Sequence, residues 1–318
     1  MKEHGDAVAL LSLLGIQGVG PAKVSKVLSR AQETGSRLSE LLRTPKALPD
    51  VISPEQQAAL GGSWGRAVEL AAQVERSGGQ FVTITDPSYP AALRARLGRG
   101  APPLLSVLGN TDLLSSVGVG FCGSRAATEK GLETVSDCAE QLARAHLSVI
   151  SGYAAGVDMS AHRAALHAGG HTTVVLAEGI LQFTVKRKIK DVWDLSRVVV
   201  VSEFVPDRVW SVHNAMRRNR TICGLSQAMI LIEARATGGS VEAGKTCLDL
   251  GIPLFVAVYQ GMPESAEGNR QMLDRGALPL LKSRASGRAN LSPVLQRLHA
   301  HETTSGSTIS ASAGRVAR

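Results

Sequence analysis

Six short apolar runs, Val117 to Cys122, Ser148 to Ile150, Thr172 to Leu176, Val198 to Val201, Ala228 to Ile232 and Leu254 to Val258, are separated by stretches of helical periodicity. A strand that is apolar along its whole length, rather than at alternate positions, is covered on both faces. Helices must then pack on either side of a parallel sheet. Between the first two runs, Leu132, Val135, Ala139, Leu142 and Ala143 keep helical spacing. Gly169-Gly170 and Gly251 stand where a helix would end on a left-handed residue. The pattern predicts an α/β protein with an extended, Rossmann-like, doubly wound parallel sheet.

The sheet pattern does not account for the whole chain of 318 residues. Residues 1–78 read as a small all-α domain with a turn at Leu14-Gly15-Ile16-Gln17-Gly18-Val19-Gly20 and a helix starting near Pro21. That turn is similar to a helix-hairpin-helix, a module of the SAM-like all-α class that offers backbone N–H groups to a DNA phosphate; a plain turn between two packed helices has the same residues. Asp86-Pro87-Ser88-Tyr89-Pro90 marks the entry to a sheet domain, taken as 79–282. The stretch 283–318, rich in Ser, Ala, Gly, Thr and Arg, is expected to be a disordered tail with a helical turn around Pro293 to His299.

Two glycine-rich turns close the first two apolar runs: Gly123-Ser124-Arg125, and Ser151-Gly152 continuing through Gly156 to Asp158. A loop without Cβ atoms lets a phosphate approach the backbone, and the N–H groups of the helix that follows favour its charge. Arg217, Arg218, Asn219 and Arg220 lead into the fifth run, and Arg217 and Arg220 could share a helix face. Lys186-Arg187-Lys188 forms a second basic cluster, and Arg94, Arg96 and Arg99 a third. With a formal charge of +8, the expected partner is a polyanion. Aromatic residues make up 3% of the chain, and only Tyr153, Phe183, Phe204 and Trp210 fall near the expected binding edge. Such a groove would hold a strand mainly by its phosphates.

Several classes are disfavoured. No run of about 18 uncharged apolar residues is present, and the first residues make a poor secretion signal, so a soluble, cytoplasmic protein is expected. The four cysteines stand singly in apolar patterns and read as buried thiols. Asp158 and His162 share a helix face but lack a third ligand, so no metal or other cofactor is expected. No GxSxG, HExxH or similar catalytic signature occurs. Gly239 to Thr246 matches GxxxxGK[ST], the phosphate loop of ATPases. Against that reading, Glu242 would put a carboxylate in the cradle, and Ser240 could cap a helix that leaves Lys245 at mid-helix.

Taken in order, these segments resemble the DNA-processing protein A (DprA/Smf) family. The resemblance rests on Gly123-Ser124-Arg125, Ser151 to His162 with Ala168-Gly169-Gly170, Ser202-Glu203-Phe204, Arg218 to Ser226, Gly239-Ser240, and Gly268-Asn269 with Gly276-Ala277. It implies a single-stranded-DNA-binding mediator, not an enzyme, that dimerises and helps load the RecA recombinase in recombination and natural transformation. In that reading Arg125 clamps a phosphate. Ser151, Gly152 and Gly156 supply close-packed backbone, Arg218, Asn219 and Arg220 line the groove, and Ser240 caps a helix facing it.

The chain departs from the family pattern at Ala155, where Arg is frequent, and at Ala215-Met216, where Phe-Pro is frequent. The first departure removes a charge and the second a base-stacking surface; no C-terminal winged-helix pattern follows. The alternative is a lysine-decarboxylase-like enzyme that releases bases from nucleoside monophosphates. Gly238-Gly239-Ser240-Val241-Glu242 partly matches its G-G-G-x-G-T-x-x-E segment, with Glu242 as the acting carboxylate.

Overall fold

A computed structural model of the chain describes residues 5–43, 48, 50–263 and 266–298. All six apolar runs are strands of one sheet: β3 (Gly118–Gly123), β4 (Ser148–Ser151), β5 (Thr172–Val175), β6 (Val198–Ser202), β7 (Ala228–Ile232) and β8 (Leu254–Ala257). Three further strands extend it: β1 (Gln80–Thr83), β2 (Leu104–Gly109) and β9 (Leu278–Leu280). The order across the sheet is β1-β2-β6-β5-β4-β3-β7-β8-β9. From β6 to β9 every neighbouring pair is parallel, whereas β1 and β2 join antiparallel.

The valines of β6 show why the apolar runs become central strands. Val199 and Val201 face one core and Val198 and Val200 the other, and all four are fully buried. Helices α6 (Glu129–Arg144) and α7 (Val157–His167) cover one face; α5 (Ala91–Leu97), α8 (Val212–Leu225), α9 (Gly239–Asp249) and α10 (Glu267–Asp274) cover the other. Two of the expected glycine stops are in place: Gly169 follows α7 with φ +79° and Gly251 follows α9 with φ +67°.

From β3 the chain winds outward through β4, β5 and β6, then returns so that β7 flanks β3 on its free side. Beyond their carboxyl ends, β3 leads to α6 on one face and β7 to α9 on the other. Diverging loops at such a switch point leave a crevice, the usual ligand position in an open α/β sheet.

Helices α1 (Gly5–Leu14), α2 (Pro21–Thr34), α3 (Leu38–Arg43) and α4 (Pro54–Arg76) enclose a core of their own, against which Phe81 of β1 and Leu104 of β2 pack. Ser53 and Gln56 form a reciprocal capping box at the start of α4.

After residue 282 the chain is packed as far as residue 298 where a disordered tail is expected, while the helical turn expected around Pro293 to His299 is present at 292–298. Ala289, Leu291, Val294 and Leu298 are buried against the face made by α6 and α7. Arg288 is paired with Asp137 and Glu140, and residues 292–298 are helical. Those few apolar residues were hidden in a polar composition, and burial beside Leu142 and Phe255 orders them. The remainder of the expected tail, 299–318, lies outside the described residues.

Candidate anion-binding cleft at the switch point

The crevice is an open cleft of about 480 Å³. Its walls come from the Gly123-Ser124-Arg125 turn, from Trp210, Met216, Arg218 and Asn219 at and before α8, and from Arg235 with Gly238, Gly239 and Ser240 before and within α9.

Beneath it the two glycine turns hold each other. Val157 N donates to the Ser124 carbonyl at 3.2 Å, and Ser151 Oγ donates to the Phe121 carbonyl at 2.8 Å. Gly156 has φ +75°, and a Cβ there would lie 2.6 Å from the Arg125 carbonyl oxygen. A Cβ on Gly152 would lie 2.5 Å from Arg218 Cζ. Thus Gly156 lets the second turn seat the first, and Gly152 leaves room for the Arg218 guanidinium. Ser151, Gly152 and Gly156 lie under the cleft and do not line it.

The helix termini at this edge differ. Thr128 caps α6 by accepting from Gly131 N at 3.1 Å, and the Glu233 carboxylate accepts from Thr128 N at 2.8 Å. Helix α7 starts after Gly156 without a side-chain cap, but Asp158 in its first turn brings a carboxylate to the cleft lining; Ser211 Oγ accepts from Asn214 N at the start of α8. Helix α9 likewise has no side-chain cap, and its first-turn acid, Glu242, lies outside the cleft lining and is paired with Lys245. Ser240, expected as its cap, is the second residue of the helix and donates Oγ to the Gly123 carbonyl at 2.7 Å. The first-turn N–H groups and positive dipole end of α9 therefore open to the cleft, a ready anion site.

Arg125 and Arg235 are both exposed and both line the cleft. Asn219 donates to the Gly239 carbonyl at 3.1 Å and so ties α8 to the mouth of α9. Arg218 is buried at the floor, with Nη1 donating to the Val175 carbonyl and Nε without a partner. Burial lowers its pKa, opposed by the nearby Asp158 and Glu178 charges.

The other basic residues named from the sequence are turned elsewhere. Arg217 Nε is bound to the buried Glu203 carboxylate at 2.7 Å, with its guanidinium over the Phe204 ring. Arg220 is exposed near Gly100. Lys186 donates Nζ to the Tyr153 carbonyl and stands 4.3 Å from that ring, and Arg187 projects from a 3-10 turn outside the lining. Successive helix residues are separated by about 100° around the axis, so Arg217 to Arg220 cannot all face one groove. Arg235, which the sequence reading passed over, lies three residues beyond the carboxyl end of β7. Its position at a sheet edge was the available signal.

Neither nucleotide-enzyme alternative finds its geometry. Gly239 to Thr246 lies wholly within α9, so it cannot wrap a phosphate as a loop, and Lys245 Nζ pairs with Glu242 at 2.6 Å. Glu242 does not line the cleft. Glu203 and Glu233 are bound to Thr221 and to Thr128 with Tyr259, respectively.

His162 supports the floor. It is fully buried, with Nε2 at 2.6 Å from the Gly152 carbonyl and Nδ1 at 2.6 Å from Thr172 Oγ1. Burial holds its pKa below the usual 6.5. The unfolded chain therefore binds this proton first as the pH falls. Its contribution to stability is complete above pH 6.5 and declines below it, by at most about 1.4 kcal/mol per pH unit. Urea midpoints at pH 7.5, 6.5 and 5.5 should fall less steeply for His162→Gln than for the parent; parallel curves would refute this.

Among the described residues, no helix is long and apolar enough to cross a membrane. A profile of the family DNA recombination-mediator protein A matches residues 80–286. The chain is 31% identical over 197 residues to the DNA processing protein DprA of Streptococcus pneumoniae, covering 61% of this chain and 68% of that protein. It is 28% identical to protein Smf of Synechocystis over 64% of this chain and 52% of the relative. The chain thus spans between about half and two thirds of the length of these relatives. The X-ray structure of Streptococcus pneumoniae DprA superposes with a TM-score of 0.72 at 26% identity, over 88% of this chain and 95% of that one. DNA processing protein A from Helicobacter pylori, described for its single-stranded DNA binding mode, superposes with a TM-score of 0.54 at 25% identity, over 63% and 90%. With the matched residues running from β1 past β9, through every strand that shapes the cleft, the chain belongs to the DNA recombination-mediator protein A family.

Proposed function

We propose that this protein binds single-stranded DNA in the switch-point cleft and, as a homodimer in the cytoplasm, assists loading of a RecA recombinase in DNA recombination and natural transformation. The observation that carries the reading is the uncapped N-terminus of α9 lining one open cleft with the exposed Arg125 and Arg235. The Helicobacter pylori relative's described binding of single-stranded DNA supports a polynucleotide as the anion. In this reading Arg125, Arg235, Asn219 and the α9 terminus meet phosphates. Ser151, Gly152, Gly156 and Ser240 hold the cradle in shape, and Lys186, Arg187 and Arg220 act only where the strand runs on past it. The division into a helical domain, 1–78, and a DNA-binding domain, 79–282, belongs to the same proposal, with residues 283–298 added to the second.

The test is a titration of mixed-sequence single strands and duplexes at two salt concentrations. Single strands should bind more tightly. With two to four phosphate contacts, log K should fall against log salt with a slope of about −1.4 to −2.8. Binding that ignores salt, or that prefers duplex, would count against the reading. RecA filament growth on a strand coated with single-strand-binding protein should accelerate in the presence of this protein, and an unchanged rate would remove the loading role.

A further inference from the structure

Four aromatic residues lie near the cleft in sequence, and the fold sends three of them inward. Tyr153 and Phe204 are buried, and Phe183 packs between Tyr153 and Trp193 at ring distances of 5.4 and 5.6 Å. Trp210 and Val212, 46% and 67% exposed, line the cleft, while Val209, 66% exposed, faces a separate hollow beside Leu11, Arg66 and Leu70. These three belong to the small set of large apolar side chains left exposed among the described residues.

The backbone that presents them is pinned. Gly179 N donates to the Arg208 carbonyl at 2.7 Å, Asn214 Nδ2 to the Val209 carbonyl at 3.3 Å, and Asn214 N to Ser211 Oγ at 3.1 Å. An apolar patch held outward by a fixed backbone has the character of a recognition surface rather than of a loose loop. The Arg125 guanidinium stands 5.6 Å from the Trp210 ring, so indole and phosphate-seeking cation form one unit.

We propose that Trp210, with Val212 beside it, is a base-stacking platform that takes one nucleobase of the strand whose phosphates lie at Arg125 and α9. The proposal rests on the single-stranded-DNA reading. A duplex keeps its bases stacked on one another and cannot offer one to the indole, so the platform also selects for single strands. The wide indole face overlaps a purine more than a pyrimidine, giving a modest purine preference.

The experiment measures anisotropy of labelled single strands and of the same strands carrying abasic sites, with the parent protein, Trp210→Ala and Trp210→Phe. The parent should bind the base-bearing strand about ten-fold more tightly than the abasic one, the effect of one stacked base. Trp210→Ala should lose that margin while matching the parent on abasic strands, and Trp210→Phe should recover most of it. Equal losses by Trp210→Ala on both strands would reduce Trp210 to a support for Arg125 and overturn the platform, as would no loss on either. Failure of the parent to bind either strand would instead refute the DNA reading itself. Thermal melting of each variant separates these outcomes from misfolding.

Discussion

Replacing Gly156 by alanine should destabilise the protein by about 2–4 kcal/mol and abolish strand binding. Two costs add. At φ +75° an L side chain is strained by about 1 kcal/mol. The new Cβ would also press on the Ser124 and Arg125 carbonyl oxygens, which are backbone and cannot swing aside as a side chain would. The turn carrying Arg125 must then lift away from α7, breaking the Val157 N to Ser124 O bond. Gly169→Ala is the control, because Gly169 has φ +79° but nothing within 4 Å of a built Cβ. It should cost only the left-handed strain. Equal urea midpoints for the two variants would show that the turns are not held by this contact.

The double variant Arg125→Ala/Arg235→Ala should bind single-stranded DNA about 100-fold more weakly at low salt, with its folding stability unchanged. Each guanidinium is exposed on a wall of the cleft, and loss of one partly exposed, charge-assisted phosphate contact costs about 1.4 kcal/mol. The salt slope should shrink by about 1.4, since each lost single-strand contact removes about 0.7. Arg217→Ala gives the contrast: that guanidinium is held by buried Glu203, so its removal should lower the melting temperature and leave the salt slope alone. An unchanged slope in the double variant would move the phosphate path away from this cleft.

How much of this could be read in advance depended on the kind of residue. The six central strands were legible because a strand buried on both faces must be apolar throughout, as the four valines of β6 are. The edge strands were less so: β9 is three residues with Pro279 at its centre, and β1 is four residues. Arg217 looked equivalent to Arg218 in the chain, yet one pairs with Glu203 and the other roofs Gly152, because helix rotation sends neighbours to different walls. Trp210 stood in the chain beside Tyr153, Phe183 and Phe204 as one of four equivalent aromatics, and nothing local marked it as the one left exposed at the cleft.

The doubly wound sheet, its two glycine turns and the family to which they belong follow from residue order alone, because backbone conformation and strand burial are set by short-range residue type and spacing. Which charges are free is set by long-range packing. Whether an arginine meets a phosphate or a buried glutamate depends on what the fold sets opposite it. The pairings of Ser240 with Gly123, 117 residues away, and of Arg288 with Asp137, 151 residues away, form across separations that no local pattern records.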